Sequence, residues 1–239
     1  MNLGKNDLQR HLSGQFNSEL EGLVARVREM GQLVLDQLSD ALGALERGDM
    51  RLADQVVMLD SEVNRLELGL DEACRDLLVQ RQPAAGDLRL VFAVLKVVMD
   101  LERMGDLAKR IAKATKESSG LPLERFGGRI GHLGSRVVSL THRALTAFVE
   151  FDGVAAAGVR QEDRVIDDDC RQITGELQAF ISVRPDLTAG ALQLVWATRS
   201  LERFGDHAKN VAEFVFYVVY GKELRHMTDE ERSRRLPAG

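Results

Sequence analysis

Leu101-Glu102-Arg103-Met104-Gly105-Asp106 and Leu201-Glu202-Arg203-Phe204-Gly205-Asp206 are one hexapeptide written twice, differing only at Met104 and Phe204. Downstream the echo continues through Ala108-Lys109 and Ala208-Lys209, then Ile111-Ala112 and Val211-Ala212. Upstream it persists as an apolar pattern, with Val91, Val94 and Leu101 set against Ala191, Leu194 and Leu201. Apolar residues at alternating steps of three and four predict a helix through each copy. On a helix, residues four apart are neighbours, so Glu102/Asp106 and Glu202/Asp206 are like-charge pairs that each cost about 0.3 kcal/mol. A penalty placed at the same point of two repeats asks for a compensating cation.

Outward from the repeat, the same periodicity covers the chain. A first helix is predicted over 9–47 on Phe16, Leu20, Leu23, Val27, Met30, Val34, Leu38, Ala41 and Leu45. Gly48 suits its C-terminal turn and Asp49 the cap of the next helix. The second, 50–81, carries Leu52, Val56, Leu59, Val63, Leu66, Leu70, Ala73 and Leu77 and stops before Pro83. The third is 86–118. Ser118-Ser119-Gly120-Leu121-Pro122 is the clearest linker, and it lies at the midpoint. Helices over 123–151, 154–182 and 187–220 follow, with turns at Asp152-Gly153 and Arg184-Pro185-Asp186, and Gly221 at the close. The fold class is therefore all-α, two tandem antiparallel three-helix bundles related by internal duplication. The halves are 8–118 and 123–221, and 222–239 is a polar tail.

Composition agrees. Of 239 residues, 44% are apolar, enough for a core, while only 5% are aromatic and four are proline. A net charge of -5 argues against a chain that carries its own nucleic-acid grip. Cys74 and Cys170 lie far apart with no CxxC, as buried thiols of a reducing cytosol do. The N-terminus lacks the apolar core of a signal peptide. The longest apolar run, Phe214–Tyr220, is far short of the ~20 residues that span a bilayer. That run suits a buried helix end or an oligomer interface, and Trp196 a core or interface position. A cytoplasmic protein is expected.

Heptad phase places the repeated carboxylates. With Leu101 and Leu201 at d, Gly105 and Gly205 fall at a, and both Glu–Asp pairs flank the seam. On the second helix the same phase gives Asp60 and Asn64, a line that continues to Glu67 and Asp71. On the fifth helix it gives Asp163 and Asp167. Adjacent helices could thus bring oxygen ligands together, with glycine allowing close approach. The plainer reading is a salt-bridged surface, because Arg199–Glu202, Asp206–Lys209, Lys209–Glu213 and Asp106–Lys109/Arg110 all have helical spacing. His207, next to Asp206, could lend a nitrogen but reads more simply as a surface histidine. A ferritin-like di-iron site needs Glu-x-x-His on its bundle helices. The six helical stretches contain none, and the single such spacing, Glu223/His226, falls in the polar tail. No P-loop, Gly-x-Ser-x-Gly or nucleophile–base constellation is present, which argues against an enzyme.

Residues 11–21 (HLSGQFNSELE), 71–74 (DEAC), 81–90 (RQPAAGDLRL), the doubled hexapeptide and 212–217 (AEFVFY) together resemble the PhoU family over about residues 8–226. The resemblance implies a non-enzymatic negative regulator of the phosphate-starvation regulon and of phosphate uptake. Its implied partners are the ATPase of a phosphate ABC transporter and a membrane phosphate-sensing histidine kinase, which it keeps in a phosphatase-favouring state when phosphate is plentiful. It also implies a homodimer, with membrane association only through partners. Multinuclear clusters of iron, zinc, manganese or magnesium are implied at Asp60, Asn64, Glu102 and Asp106, and at Asp163, Asp167, Glu202, Asp206 and Asn210. Arg110 stands where the second repeat has Asn210, and a cation there would compete with a metal. The alternative is a stand-alone divalent-metal-binding or metal-dependent phosphate-binding protein.

Overall fold

The computed structural model describes residues 14–83, 85–118, 121 and 123–222. Six helices fill them: α1 (Gly14–Arg47), α2 (Met50–Arg81), α3 (Ala85–Glu117), α4 (Leu123–Glu150), α5 (Gly153–Val183) and α6 (Thr188–Tyr220). A short 3-10 turn, Pro185–Leu187, leads into α6. Each predicted helix is present within a few residues of its expected ends. Residues 9–13 and the tail from 223 lie outside the described residues.

The turns have local causes. Asp49 and Asp152 cap α2 and α5, Asp49 accepting the backbone N–H groups of Arg51 and Leu52 and Asp152 those of Val154 and Ala155, at 2.9–3.0 Å. Gly48 takes the left-handed conformation before Asp49 (φ 66°). Its counterpart before Asp152 is Phe151, at φ 54°, which accepts the strain because its ring is buried. Gly221 closes α6 at φ 70°.

The halves share one core. α1, α3, α4 and α6 form a central four-helix layer, α1 packing on α4 and α3 on α6. α2 packs only on α1 and α3, and α5 packs on α4 and α6, so these two are outer helices. The duplication therefore yields two three-helix units around one continuous buried cluster. Leu121 of the midpoint linker is itself buried beside Gly190 of α6. Close approach of α1 and α4 depends on missing side chains. Leu145 seats over Gly31, where a Cβ would lie 2.7 Å from its Cδ1, and Leu42 seats over Gly134 in the same way.

One expectation is corrected and another narrowed. Leu59, expected in the core, is 40% exposed, because the buried line of α2 runs through Ala53, Val56, Val63, Leu66, Leu70, Cys74 and Leu77. Of the two positions expected for Trp196, core or interface, its 54% exposure removes the core. The Phe214–Tyr220 run is a buried helix end, with Val215, Phe216, Val218 and Val219 inside.

Candidate functional site

The core line of α5 runs Ala156, Val159, Asp163, Ile166, Cys170, Ile173, Leu177, Phe180, so a carboxylate occupies a seam position. Asp163 Oδ2 accepts from Lys209 Nζ of α6 at 2.5 Å. The same ammonium donates to Asp206 Oδ1 at 2.6 Å. Asp163 Oδ1 is buried and has no hydrogen-bond partner among the described residues. It faces Gly205, where a Cβ would lie 3.4 Å away. Gly205 thus makes room for the carboxylate, as the close-approach reading required.

One turn along, Asp167 is half-buried. Burial pushes its carboxyl above the ordinary range, Asp163 adds to this, and Lys209 pulls against it. Glu202 is held by Arg199 at 2.7 Å. The Cys170 thiol lies 3.7 Å from Glu202 Oε2 and donates to the Thr198 carbonyl at 3.3 Å. Burial first, and the Glu202 charge next, push that thiol up to about 12, so it stays protonated.

The first half repeats the device. Lys109 Nζ lies 2.6 Å from both Asp60 Oδ2 and Asp106 Oδ1. Burial lowers the lysine's proton affinity, but the hydrogen bonds to Asp106 and Asp60 outweigh it and the net shift is upward. Glu102 is pushed up by burial, then by Asp106, Glu67 and Asp60. Glu67, itself raised by burial and Asp71, belongs to this cluster although the expected ligand set omitted it. Its place on the line from Asp60 was the available signal. Asn64 is exposed.

Positions 110 and 210 have different surroundings. Asn210 Nδ2 donates to Asp100 Oδ1 of α3 at 3.3 Å, and His207 Nδ1 meets the same oxygen at 2.7 Å. His207 is therefore a seam residue held on Asp100 of α3 rather than a loose surface histidine. Arg110 lines the groove between α3 and α6. Arg110 shares that groove with Asp106 but forms no ion pair with it among the described residues, and Lys109 is the cation that bridges the first cluster.

As arranged, no three His, Cys, Asp or Glu side chains among the described residues stand close enough to hold a metal. Each cluster is instead bridged by a lysine ammonium, Lys109 in the first half and Lys209 in the second. The donors fit a hard cation: they are oxygens from two helices, and Asp163 Oδ1 lacks a partner among the described residues. The salt-bridged alternative is also present, since Arg199–Glu202, Asp206–Lys209 and Asp106–Lys109 all form. Glu213 pairs with Arg160 at 4.0 Å.

A family profile described as the PhoU domain matches twice, at residues 27–115 and 130–215, one match in each three-helix half. The chain belongs to the PhoU family. Among its relatives, the phosphate-specific transport system accessory protein PhoU homolog of Pseudomonas aeruginosa is 40% identical, over 94% of this chain and 93% of that protein. The phosphate-specific transport system accessory protein PhoU of Escherichia coli K12 is 35% identical over 96% and 95%. The crystal structure of PhoU from Pseudomonas aeruginosa superposes with a TM-score of 0.81 at 40% identity, covering 87% of this chain and all of that one. The phosphate transport system regulatory protein PhoU from Streptococcus pneumoniae gives 0.78 at 29% identity, covering 87% and 99%. The PhoU fold is thus shared along both halves, and the lysine-bridged clusters fall at the same place in each.

Proposed function

We propose that this chain is a non-enzymatic regulator of phosphate transport: a cytoplasmic adaptor that restrains phosphate uptake and the phosphate-starvation response. It links the ATPase of a phosphate ABC transporter to a phosphate-sensing membrane histidine kinase. The observation that carries this reading is the near full-length match to proteins named as phosphate transport accessory proteins. The chemistry agrees with action by contact. Both thiols are pushed up to about 12 by burial first, so neither is a nucleophile. No described helix is long and apolar enough to cross a membrane. Exposed Met58, Leu68 and Val79 on α2 offer apolar surface for a homodimer.

A divalent cation belongs to this reading as a structural element. Asp163, Asp167, Glu202 and Asp206 would hold it in the second half, and Asp60, Glu67, Glu102 and Asp106 in the first. It would supply fixed positive charge once the lysine turns out. These residues otherwise hold α5 on α6 and α2 on α3. Pull-down with the transporter ATPase and the kinase at high phosphate tests the adaptor: binding of at least one is expected, and binding of neither overturns it. Elemental analysis of gently purified protein tests the cation. Bound divalent metal should fall in Glu202→Ala/Asp206→Ala, and equal, metal-free protein in both would remove it.

A further inference from the structure

The outer face of the α3–α6 pair carries a groove of about 780 Å³. Trp196, the chain's single tryptophan, lines it and is 54% exposed. A large aromatic ring left in water on a well-formed helix is unusual surface, whereas such rings are enriched at the centres of interfaces.

The charges around it do not cancel. Asp206 and Asp106 are held by Lys209 and Lys109, and Glu202 by Arg199. Arg110, Lys113 and Arg203 in the groove, and Arg103 at its continuation, are exposed. Among the described residues these four form no ion pair. Among the described residues, Glu117 is the lining carboxylate that no cation meets within ion-pair distance. The clusters thus leave a residual positive strip beside Trp196, on a chain whose net charge is -5. Arginine and tryptophan side by side match an acidic, partly apolar protein segment, with guanidinium groups on its carboxylates and the indole under an apolar side chain.

We propose that the α3–α6 groove is the docking site for an acidic segment of a partner protein, with Trp196 as apolar anchor and Arg110, Arg203, Arg103 and Lys113 as its charge complement. This rests on the adaptor reading and names the surface that the adaptor uses.

The sole tryptophan makes occupancy directly readable. The full chain is titrated with the kinase's cytoplasmic portion, with the transporter ATPase, and with a 20-residue Glu-rich peptide carrying one Leu, while Trp196 emission is followed. At least one probe should shift the emission. Binding should weaken at least tenfold in Arg110→Glu/Arg203→Glu by the same emission and in Trp196→Ala by titration calorimetry, and be unchanged in Arg75→Glu on α2. The wild-type affinity should fall with added salt, and less steeply in the charge-reversed variant. If a partner binds with equal affinity to all variants, the groove is overturned while the adaptor stands. If neither partner binds but the peptide responds through Trp196 and the arginines, the adaptor fails and the groove remains a site for acidic segments. Silence of Trp196 to every probe overturns the groove. So does a response to inorganic phosphate or to anionic vesicles in place of the proteins and peptide.

Discussion

Lys209 of α6 reaches across to the buried Asp163 of α5 at 2.5 Å, and Lys109 of α3 repeats the reach to Asp60 of α2 at 2.6 Å. Each outer helix is thus pinned to the central layer by a lysine that also neutralises a carboxylate on its own helix. Removing one partner of a buried pair strands the other charge. Lys209→Ala should therefore lose about 3 kcal/mol in chemical denaturation. Added manganese or zinc should return part of that loss, because the vacated centre keeps Asp163, Asp206 and Glu202. A loss that no divalent ion recovers would leave the cluster as an ion pair alone.

Acid should favour the fold over a limited range. Glu67, Glu102 and Asp167 are all pushed above the ordinary carboxylate range, with burial as the first cause. The folded chain therefore holds these protons more tightly than the unfolded one. Their contribution is fully present below the unfolded carboxylate value and is lost as pH rises through the folded values. Denaturation midpoints at constant salt should accordingly fall between mildly acidic and neutral pH, and Glu102→Gln should flatten that slope.

Gln37 of α1 is 1% exposed, and neither its amide oxygen nor its nitrogen has a partner among the described residues. It lies against Gly105, where a Cβ would be 3.4 Å from its Oε1. An unsatisfied buried amide costs about 1–3 kcal/mol. Gln37→Leu should raise the melting temperature, and an unchanged or lower value would show that the amide is satisfied in solution.

The α1–α4 contact should tolerate little added volume. Gly134→Val must displace Leu42, and overpacking of this kind costs about 1–3 kcal/mol. The paired change Gly134→Val/Leu42→Ala should recover much of the loss in thermal melts, because the two side chains contend for one space.

Much of this was legible in the sequence. The hexapeptide gave the duplication, and Asp49 and Asp152 marked the turns because a capping carboxylate has one local job. The phase of α2 was legible at Val56, Val63, Leu66, Leu70 and Leu77, all buried, and failed at Leu59. Leu52, Val56, Leu59 and Val63 form an unbroken apolar stripe, yet Leu59 is half out and Asp60 is the inward residue. Only the facing Lys109 makes that exchange stable, and a single-helix pattern does not contain its neighbour. For the same reason Asp163 reads as flanking the seam until Lys209 is placed beside it. The directions of Arg110, His207 and Asn210 depend on how the halves meet, which neither repeat encodes by itself.

α2 and α5 each lean on their own half, while the four inner helices lean on both. Their amides belong to different cooperative units. Under native-state hydrogen exchange α2 and α5 should lose protection ahead of the inner helices, each by its own opening, so the chain can loosen on either flank while its centre stays shut.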